Sequence, residues 1–299
     1  MAITIKQLEI FIAIVQSNNV TRASKSLKLS QSAVSMALSE LEKQLGEILF
    51  DRSGKRLILN SSGQLLLPKA IEITSRVKEV NTVFTQSKNE LSGTLKVGAS
   101  ATIGNYQIPK IISDYAKEHK KVKVALNIKN TEDVINDILN FNCDLGIVEG
   151  LCHRKELETL AWKKDTMAIV TSSSHELSKK KKVTIEDLGQ QEWVLREVGT
   201  GPRMFFESLV PGRLDQFNIR LELGDTEAIK KMIQSGFGVA CLSTCTIQNE
   251  LEQQKIAIIK TPYLNLERYF YIILHKEKYK TILLNSFLKH CKKGVGITP

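Results

Sequence analysis

Short polar side chains share one face of a helix that the sequence predicts near its beginning. Apolar residues recur at helical spacing between Ser30, an N-cap candidate, and Leu45, with Gly46 as the C-cap. The opposite face carries Gln31, Ser32, Ser35, Met36 and Ser39. Short hydrogen-bonding side chains let a helix approach base edges and phosphates in the major groove of DNA. The sequence therefore predicts a DNA-reading helix, and the alternative is a three-helix core with a solvated polar face.

The segments on either side of this helix support the same interpretation. Thr21 is an N-cap candidate for a shorter preceding helix, and both Thr21 and Arg22 are candidate DNA contacts. Residues 27–29 then give the short connection of a helix-turn-helix. Residues 49–59 predict two short strands joined by a basic turn, which is the pattern of a wing that contacts phosphates. The candidate phosphate contacts on this wing are Arg52, Lys55 and Arg56.

Two predicted strand-to-helix turns in the second half of the chain carry small residues suited to binding an anion. Such turns expose backbone N–H groups, and hydroxyl side chains add further donors. The carboxyl ends of strands in an open α/β sheet face a common crevice, so both turns should face one cleft. The residues of the two turns are Ser100, Ala101, Thr102, Thr200 and Gly201.

Three further residues lie where they could contact the same ligand. Arg196 ends a predicted strand, Glu149 ends another, and Thr226 begins a predicted helix. Arg196 favours a small anion or carboxylate, whereas Glu149 favours a zwitterion such as an amino acid. The sequence leaves this choice open. For any single Ser or Thr of this set the alternative role is ordinary helix capping.

Three other motifs resemble known functional sites, but each has a feature that argues against that function. Residues 98–102 approach the G-x-S-x-G nucleophile elbow, but the final Gly is absent and no His–carboxylate pair can be assigned. Residues 236–241 resemble a dinucleotide-binding glycine motif, but they follow a predicted helix and enter a strand, the reverse of the required order. Cys241 and Cys245 could form a redox pair, although buried cysteines are more often small apolar residues.

The elements that must position these residues fall into three regions. Residues 1–60 contain short helical periods followed by the wing. In residues 61–91 apolar positions alternate spacings of four and three over seven steps, which predicts a coiled-coil helix that pairs two copies of the chain. A single core-packed helix is the alternative. The seam positions are Leu66, Ala70, Ile73, Val77, Val80, Phe84, Ser87 and Leu91.

Residues 92–299 alternate strand-like and helix-like segments. This alternation predicts an α/β fold with mostly parallel strands, and its length suffices for two lobes.

Composition sets the outer bounds. The 299 residues include 42 Lys and Arg against 32 Asp and Glu, a net charge of +10, which admits nucleic acid, an anionic membrane or an acidic ligand as partner. The N-terminus lacks the pattern of a signal peptide, and no stretch approaches the ~20 apolar residues of a membrane span. The five cysteines are unclustered and the histidines scattered. A reduced, cytosolic protein without a structural metal is predicted.

Residues 7–63 resemble the winged helix-turn-helix of LysR-type transcriptional regulators. The matching residues are the run ASxxLxxSQSAVSxxLxxLExxLGxxLFxR and the Leu-x-x-x-Gly that starts the linker helix. Met36 stands where the family often has Arg, so a DNA contact expected there is altered. Asn60 stands where the family often has Thr, and Asn caps a helix equally well.

The resemblance implies an α/β fold overall, with an N-terminal winged helix-turn-helix, a long linker helix and a two-lobed α/β effector domain of the periplasmic-binding-protein type. The DNA-binding domain would be residues 1–60, the coiled-coil linker helix 61–91 and the effector-binding domain 92–299. Within the latter, lobe I would be 92–161 and 268–299, and lobe II 162–267.

The resemblance also implies a function. The chain would bind double-stranded promoter or operator DNA, and a small, anionic effector would bind between the lobes on the turn residues and strand ends named above. It would form a homodimer through the linker helix and a homotetramer from two dimers, with no catalytic residue, cofactor, metal or membrane contact. The alternative is a solute-binding or enzymatic α/β protein with a non-regulatory N-terminal extension.

Overall fold

The computed structural model describes residues 2–53, 56–85, 91–150 and 152–293. The chain divides into two compact units. The first combines Met1–Gly93 with Lys276–Ser286, and the second combines Thr94–His275 with Phe287–Pro299. Within the described ranges, no helix is both long enough and apolar enough to cross a lipid bilayer.

The first unit contains a three-helix core and a two-stranded hairpin. Phe11, Ile14, Val34 and Leu41 are fully buried and hold the three helices together. The hairpin is antiparallel, and the backbone N–H of Leu57 donates to the carbonyl of Asn18, which ties the hairpin to the end of the first helix. The elements are α1 (Ile5–Ser17), α2 (Val20–Leu27), α3 (Gln31–Leu45), β1 (Phe50–Ser53), β2 (Arg56–Leu59) and α4 (Ser61–Thr85).

Local capping chemistry sets the ends of α3 and the start of α4 as predicted. The Ser30 hydroxyl accepts from the N–H of Ala33 at 3.1 Å, and the Asn60 side chain accepts from the N–H of Gly63 at 2.9 Å. Gly46 ends α3 with φ +72°, a backbone conformation that favours glycine.

The predicted cap of α2 is wrong by two residues. Asn19, not Thr21, occupies the N-cap position, and its Oδ1 accepts from the N–H of Arg22 at 3.1 Å. Asn19 has extended backbone angles and an equally good acceptor, so the helix begins earlier and includes Thr21.

The described part of α4 is shorter than the predicted linker helix. It ends at Thr85, and residues 86–90, among them the predicted seam residue Ser87, lie outside the described residues. Leu91 is not helical, because it directly precedes the strand that begins at Ser92.

The second unit alternates strands and helices along the chain, which confirms the predicted α/β class. Its elements through the first part are β3 (Ser92–Ser100), α5 (Ala101–Tyr106), α6 (Ile108–Glu118), β4 (Lys121–Lys129), α7 (Thr131–Leu139), β5 (Leu145–Glu149) and β6 (Leu157–Ser172). The remaining elements are α8 (Glu176–Lys179), α9 (Ile185–Gly189), β7 (Glu192–Arg196), α10 (Gly201–Leu209), β8 (Asn218–Leu223), α11 (Thr226–Gln234), β9 (Val239–Ser243), α12 (Gln248–Glu252), β10 (Ile256–Ile258) and β11 (Glu267–His275). The last helix, α13 (Ile282–Lys293), has residues in both units.

The sheet is mixed, so the prediction of mostly parallel strands is wrong. Its order is β4-β3-β5-β11-β6-β9-β7-β8, with β10 paired to β6. The pairs β3–β5, β7–β8 and β7–β9 are parallel, whereas β6 and β11 pair antiparallel with each other and with their other neighbours. The physical reason is topological. Strand β6 carries the chain from the first lobe of this second unit into its second lobe, and β11 carries it back, so the two strands must run in opposite directions.

Each face of the second lobe has its own apolar core. Trp193, Phe206 and Phe217 pack with ring centroids 4.6–5.6 Å apart on one face. On the other face Ile229 and Ile233 of α11 pack against the strands. The two cores fix α10 and α11 to the sheet, and both helices begin at the ends of strands where the candidate ligand residues lie.

Candidate functional site

The predicted DNA-reading residues lie on one exposed face of α3. Val34, Leu38 and Leu41 are buried beneath it, and Met36 is 73% exposed. Because a large apolar side chain so exposed is not part of the core, this face is available for a partner. The exposed residues of the face are Gln31, Ser32, Ser35, Met36 and Ser39.

For the other predicted DNA contacts, the structure describes α2 fully and the wing in part. Thr21 and Arg22 are exposed in the first turn of α2. Arg52 lies on β1 opposite Leu57, and Arg56 lies on β2. Lys55 and the side chains of Arg52 and Arg56 lie outside the described residues.

In the second unit, Glu149 and Ser100 meet at the ends of two neighbouring strands. The Ser100 hydroxyl donates to Glu149 Oε1 at 3.1 Å, and both side chains are buried. Ser100 holds the N-cap position of α5 but makes no side-chain cap bond there. Its hydroxyl therefore binds the Glu149 carboxylate and does not cap α5. Thr102 is buried and Ala101 half-buried in the same turn.

A buried cation that the sequence did not single out neutralises Glu149. Arg268 Nη1 lies 2.9 Å from Glu149 Oε2, and Arg268 Nε donates to Asp165 Oδ2 at 2.7 Å. Burial alone would lower the pKa of Arg268, but Glu149 and Asp165 raise it above its ordinary value, so the guanidinium stays charged. We call these three residues the Arg268 triad. Among the described residues, Arg268 Nη2 has no hydrogen-bond partner although it is buried.

The start of α10 lies against the same carboxylate. A Cβ placed on Gly201 would be 2.3 Å from the Cβ of Glu149 and 2.6 Å from its Oε2. Thr200 holds the N-cap position but donates its hydroxyl to the carbonyl of Glu197 at 2.7 Å. The Ser100 hydroxyl, the Arg268 guanidinium and the N-terminus of α10 therefore converge on one carboxylate, and all three attract negative charge.

Arg196 and Thr226 are brought together, but as partners of each other. Arg196 Nη1 donates to Thr226 Oγ1 at 3.1 Å, while Nε and Nη2 donate to the two carboxylate oxygens of Glu197. Burial would raise the pKa of Glu197, but the hydrogen bonds from Arg196 hold it below its ordinary value. Arg196 thus clamps the end of β7 to the start of α11 with all three nitrogens engaged.

Sequence reasoning missed several polar residues around the triad. Asp165 Oδ1 accepts from the Ser243 hydroxyl at 2.6 Å, and Lys163 Nζ donates to Gln107 Oε1 at 2.6 Å. The available signal was a pair of opposite charges in two strands: Arg268 lies directly opposite Asp165 in the β11–β6 ladder. That register joins residues about a hundred positions apart and is not readable from either strand alone.

The crowding at Gly201 leads to a testable expectation. Gly201→Ala should lower the free energy of unfolding by about 1–3 kcal/mol, because its methyl group would overlap the buried Glu149 side chain. Gly224→Ala is the matched control, since a Cβ at Gly224 would meet nothing within 4 Å and should change stability by less than about 0.5 kcal/mol. Urea denaturation measures both. Equal effects of the two substitutions would contradict the close approach of α10 to Glu149.

The thiols near the triad are expected to be unreactive. Burial raises the pKa of the Cys241 thiol to about 12 and also raises the pKa of Cys245, so both stay protonated at pH 8. Brief iodoacetamide treatment of the native chain at pH 8, read by mass spectrometry, should modify the half-buried Cys152 and spare Cys241 and Cys245. In denaturant all five cysteines should react. Rapid native modification of Cys245 would instead support the redox pair.

Among the described residues, no group of three or more His, Cys, Asp or Glu side chains is arranged to hold a metal ion.

Comparison with known proteins relates both units to characterised families. Residues 5–64 match the family described as bacterial regulatory helix-turn-helix protein, lysR family, and residues 88–296 match the family described as LysR substrate binding domain. The HTH-type transcriptional regulator YeiE of Escherichia coli (strain K12) is 37% identical over 291 residues, covering 97% of this chain and 98% of the relative.

Two solved structures are similar over long stretches. A full-length OxyR variant from Pseudomonas aeruginosa has a TM-score of 0.75 at 18% identity and covers 100% of this chain and 99% of its own. The regulatory domain of Synechocystis PCC6803 CcmR in complex with 2-PG has a TM-score of 0.65 at 24% identity, covering 70% of this chain and 100% of its own. At these identities the likeness concerns the fold.

Proposed function

The chain belongs to the LysR family of transcriptional regulators, and from that premise we propose that α3 reads operator DNA and that a small anion bound at the Arg268 triad is the effector. The observation that carries the effector proposal is the convergence of the Ser100 hydroxyl, Arg268 and the start of α10 on the Glu149 carboxylate. In the effector-binding domain, these three groups thus surround the Glu149 carboxylate, and the same groups could bind the negative charge of an effector.

The DNA proposal rests on the separation of the two faces of α3. Its apolar face is buried and its short polar face is exposed, so base edges can be approached without unfolding the core. Thr21, Arg22 and the wing residues Arg52, Lys55 and Arg56 would contact phosphates. The test is a gel shift with the promoter region of the chain's own gene over a salt series. Sequence-selective binding that weakens with salt is expected, and its absence would favour the solute-binding or enzymatic alternative.

The effector proposal treats Glu149 as a carboxylate that a bound anion must displace. The effector would then accept from Ser100, from the backbone N–H of Gly201 at the start of α10, and from Nη2 of Arg268, which has no hydrogen-bond partner among the described residues. Ala101 and Thr102 would line its first-lobe side. Arg196 would act indirectly by positioning Thr226 at the start of α11.

Glu149→Gln separates an anion from a zwitterion. Thermal-shift screening would use small oxyanions, sulfur compounds and amino acids. An anion should stabilise E149Q more than the parent chain, since the competing internal charge is gone. An amino acid should stabilise E149Q less, because its ammonium group would lose Glu149 as a partner. If a ligand still stabilises both the Ser100→Ala and the Arg268→Gln variants as much as the parent chain, the Arg268 triad is not part of the effector site.

We propose that α4 pairs two copies of the chain and that dimers associate into tetramers. Ala70 is buried within its own unit, which accounts for part of the seam, but Ile73, Val77 and Val80 are exposed at the predicted spacing. Three exposed apolar side chains in line on a helix are typical of a coiled-coil face. Effector-driven closure of the lobes would then change the spacing between the DNA-binding domains of the tetramer. The protein would act in the cytoplasm, where its DNA lies.

A charge on this face should weaken the dimer. Val80→Glu is expected to raise the dimer dissociation constant at least about tenfold, because the carboxylate would be desolvated between two helices. Gln64→Glu adds the same charge at an exposed position of α4 outside the seam and should leave the constant unchanged. Light scattering over a dilution series measures both. A parent chain that is monomeric at micromolar concentration would contradict the pairing.

A further inference from the structure

A cavity lies in the second lobe, at the opposite end of α10 from the Arg268 triad. It has a volume of about 550 Å³, within the range of small-molecule sites, and it shares no residue with the triad. The segment before α9, the end of α10 and the loop before β11 line it, and it is open to the surface. Its lining residues are Lys182, Val183, Thr184, Ile185, Leu209, Val210, Pro211, Arg213, Tyr263 and Leu264.

The base of this cavity is apolar and belongs to the folded core. Val183 and Val210 are buried members of the core around Trp193, and Leu209 and Leu264 pack against it half-buried. These side chains are held by the core whether or not a ligand is present. The base is therefore a preformed apolar surface that could accept a hydrocarbon body.

The rim of the cavity carries two basic side chains. Two carboxylates also lie near it, since burial and then the charges of Asp187 and Glu186 raise the pKa of Tyr263. Lys182 and Arg213 are both exposed, and neither forms a salt bridge with another described residue. The neighbouring Lys180 differs, since its Nζ contacts Asp187 at 2.8 Å. Tyr263, half exposed, adds a phenolic hydroxyl at the same rim. A ligand that fits has an apolar body and one negative end.

We propose that this cavity is a second ligand site, separate from the effector site, for a small amphipathic carboxylate with an aromatic or branched aliphatic body. The body fills the space over Val183, Leu209 and Leu264, and the carboxylate lies between Lys182 and Arg213. This assignment does not depend on the identity of the effector or on DNA binding.

Helix α10 connects the two sites physically. Its first residue, Gly201, lies against Glu149 and its last, Leu209, lines the cavity, about 12 Å apart along the helix. The buried Arg203 ties α10 to β8 through Glu222 at 3.2 Å, and it also pairs within the helix with Glu207 at 2.6 Å. A ligand that displaces the end of α10 would therefore be sensed at the triad, since a short helix moves as a rigid unit.

Calorimetric titration of the full chain with 4-phenylbutyrate and with its uncharged amide tests the site. The acid should bind, and the amide should bind at least about tenfold more weakly. The double variant Lys182→Gln with Arg213→Gln should weaken binding of the acid by a similar factor. Lys181→Gln with Arg220→Gln removes the same charge from exposed positions outside the cavity and should leave the affinity within about twofold.

The remaining outcomes overturn the proposal. They are no heat of binding up to millimolar acid, equal affinity for acid and amide, or unchanged affinity in the Lys182/Arg213 variant. Light scattering on that variant provides a further check, because a change in molar mass would identify the cavity as a contact between copies of the chain. All four substituted residues are exposed, so the variants should fold as the parent chain does.

Discussion

Replacing Arg268 by methionine should lower the free energy of unfolding by about 3–5 kcal/mol. The substitution keeps most of the apolar volume of the side chain but leaves Glu149 and Asp165 buried without their cation. Each of these carboxylates is at most 3% exposed, so water cannot replace the lost partner. The shift in urea midpoint measures the loss.

The same charge can be removed where it should matter little. Arg220 is largely exposed and lies 3.8 Å from Glu192, so Arg220→Met should change stability by no more than about 0.5 kcal/mol. A second control tests the cause. If unpaired charge is responsible, adding Glu149→Gln and Asp165→Asn to the Arg268→Met chain should restore a substantial part of the stability. A triple variant no more stable than Arg268→Met would assign the loss to packing.

Ser35→Glu should lower the affinity for operator DNA about a hundredfold, equivalent to about 2.7 kcal/mol, without changing stability. Ser35 lies in the middle of the exposed face of α3, where a carboxylate would meet the phosphates and base-edge acceptors of the major groove. Glutamate is also a good helix former and Ser35 is exposed, so the fold should tolerate the substitution. Gel shift at fixed salt measures the affinity.

Ser208→Glu is the control for this substitution. Ser208 is an exposed helical serine of the second unit, so the change in net charge is the same while the DNA-reading face is untouched. Its affinity should stay within about threefold of the parent. If Ser35→Glu and Ser208→Glu weaken binding equally, net charge is responsible and α3 is not the reading helix.

The first unit was predictable in most details because its determinants are local. Ser30, Gly46 and Asn60 act within three or four residues of themselves, and the apolar face of α3 follows from helical periodicity. The one wrong cap arose where two acceptors, Asn19 and Thr21, compete for the same helix start. The choice between them depends on backbone angles that composition does not specify.

The effector-binding domain was predictable in its class and in its two turns, but not in its charge pairing. Ser100, Thr200 and Gly201 lie where a strand ends and a helix begins, and that position is readable from sequence. The sequence favoured Arg196 as the cation of the cleft. In the structure Arg196 is engaged by Glu197 and Thr226, and Arg268 reaches Glu149.

The sequence by itself thus determined the order of the units, the exposed polar face of α3 and the family of the chain, since each depends on residues close together along the chain. Only the tertiary structure decided which arginine faces the carboxylates, why position 201 must be glycine, and that the sheet is mixed. These depend on β11 pairing with β6 across about a hundred residues and on α10 meeting β5. Long-range register is set by the packing of the whole core, and no local pattern encodes it.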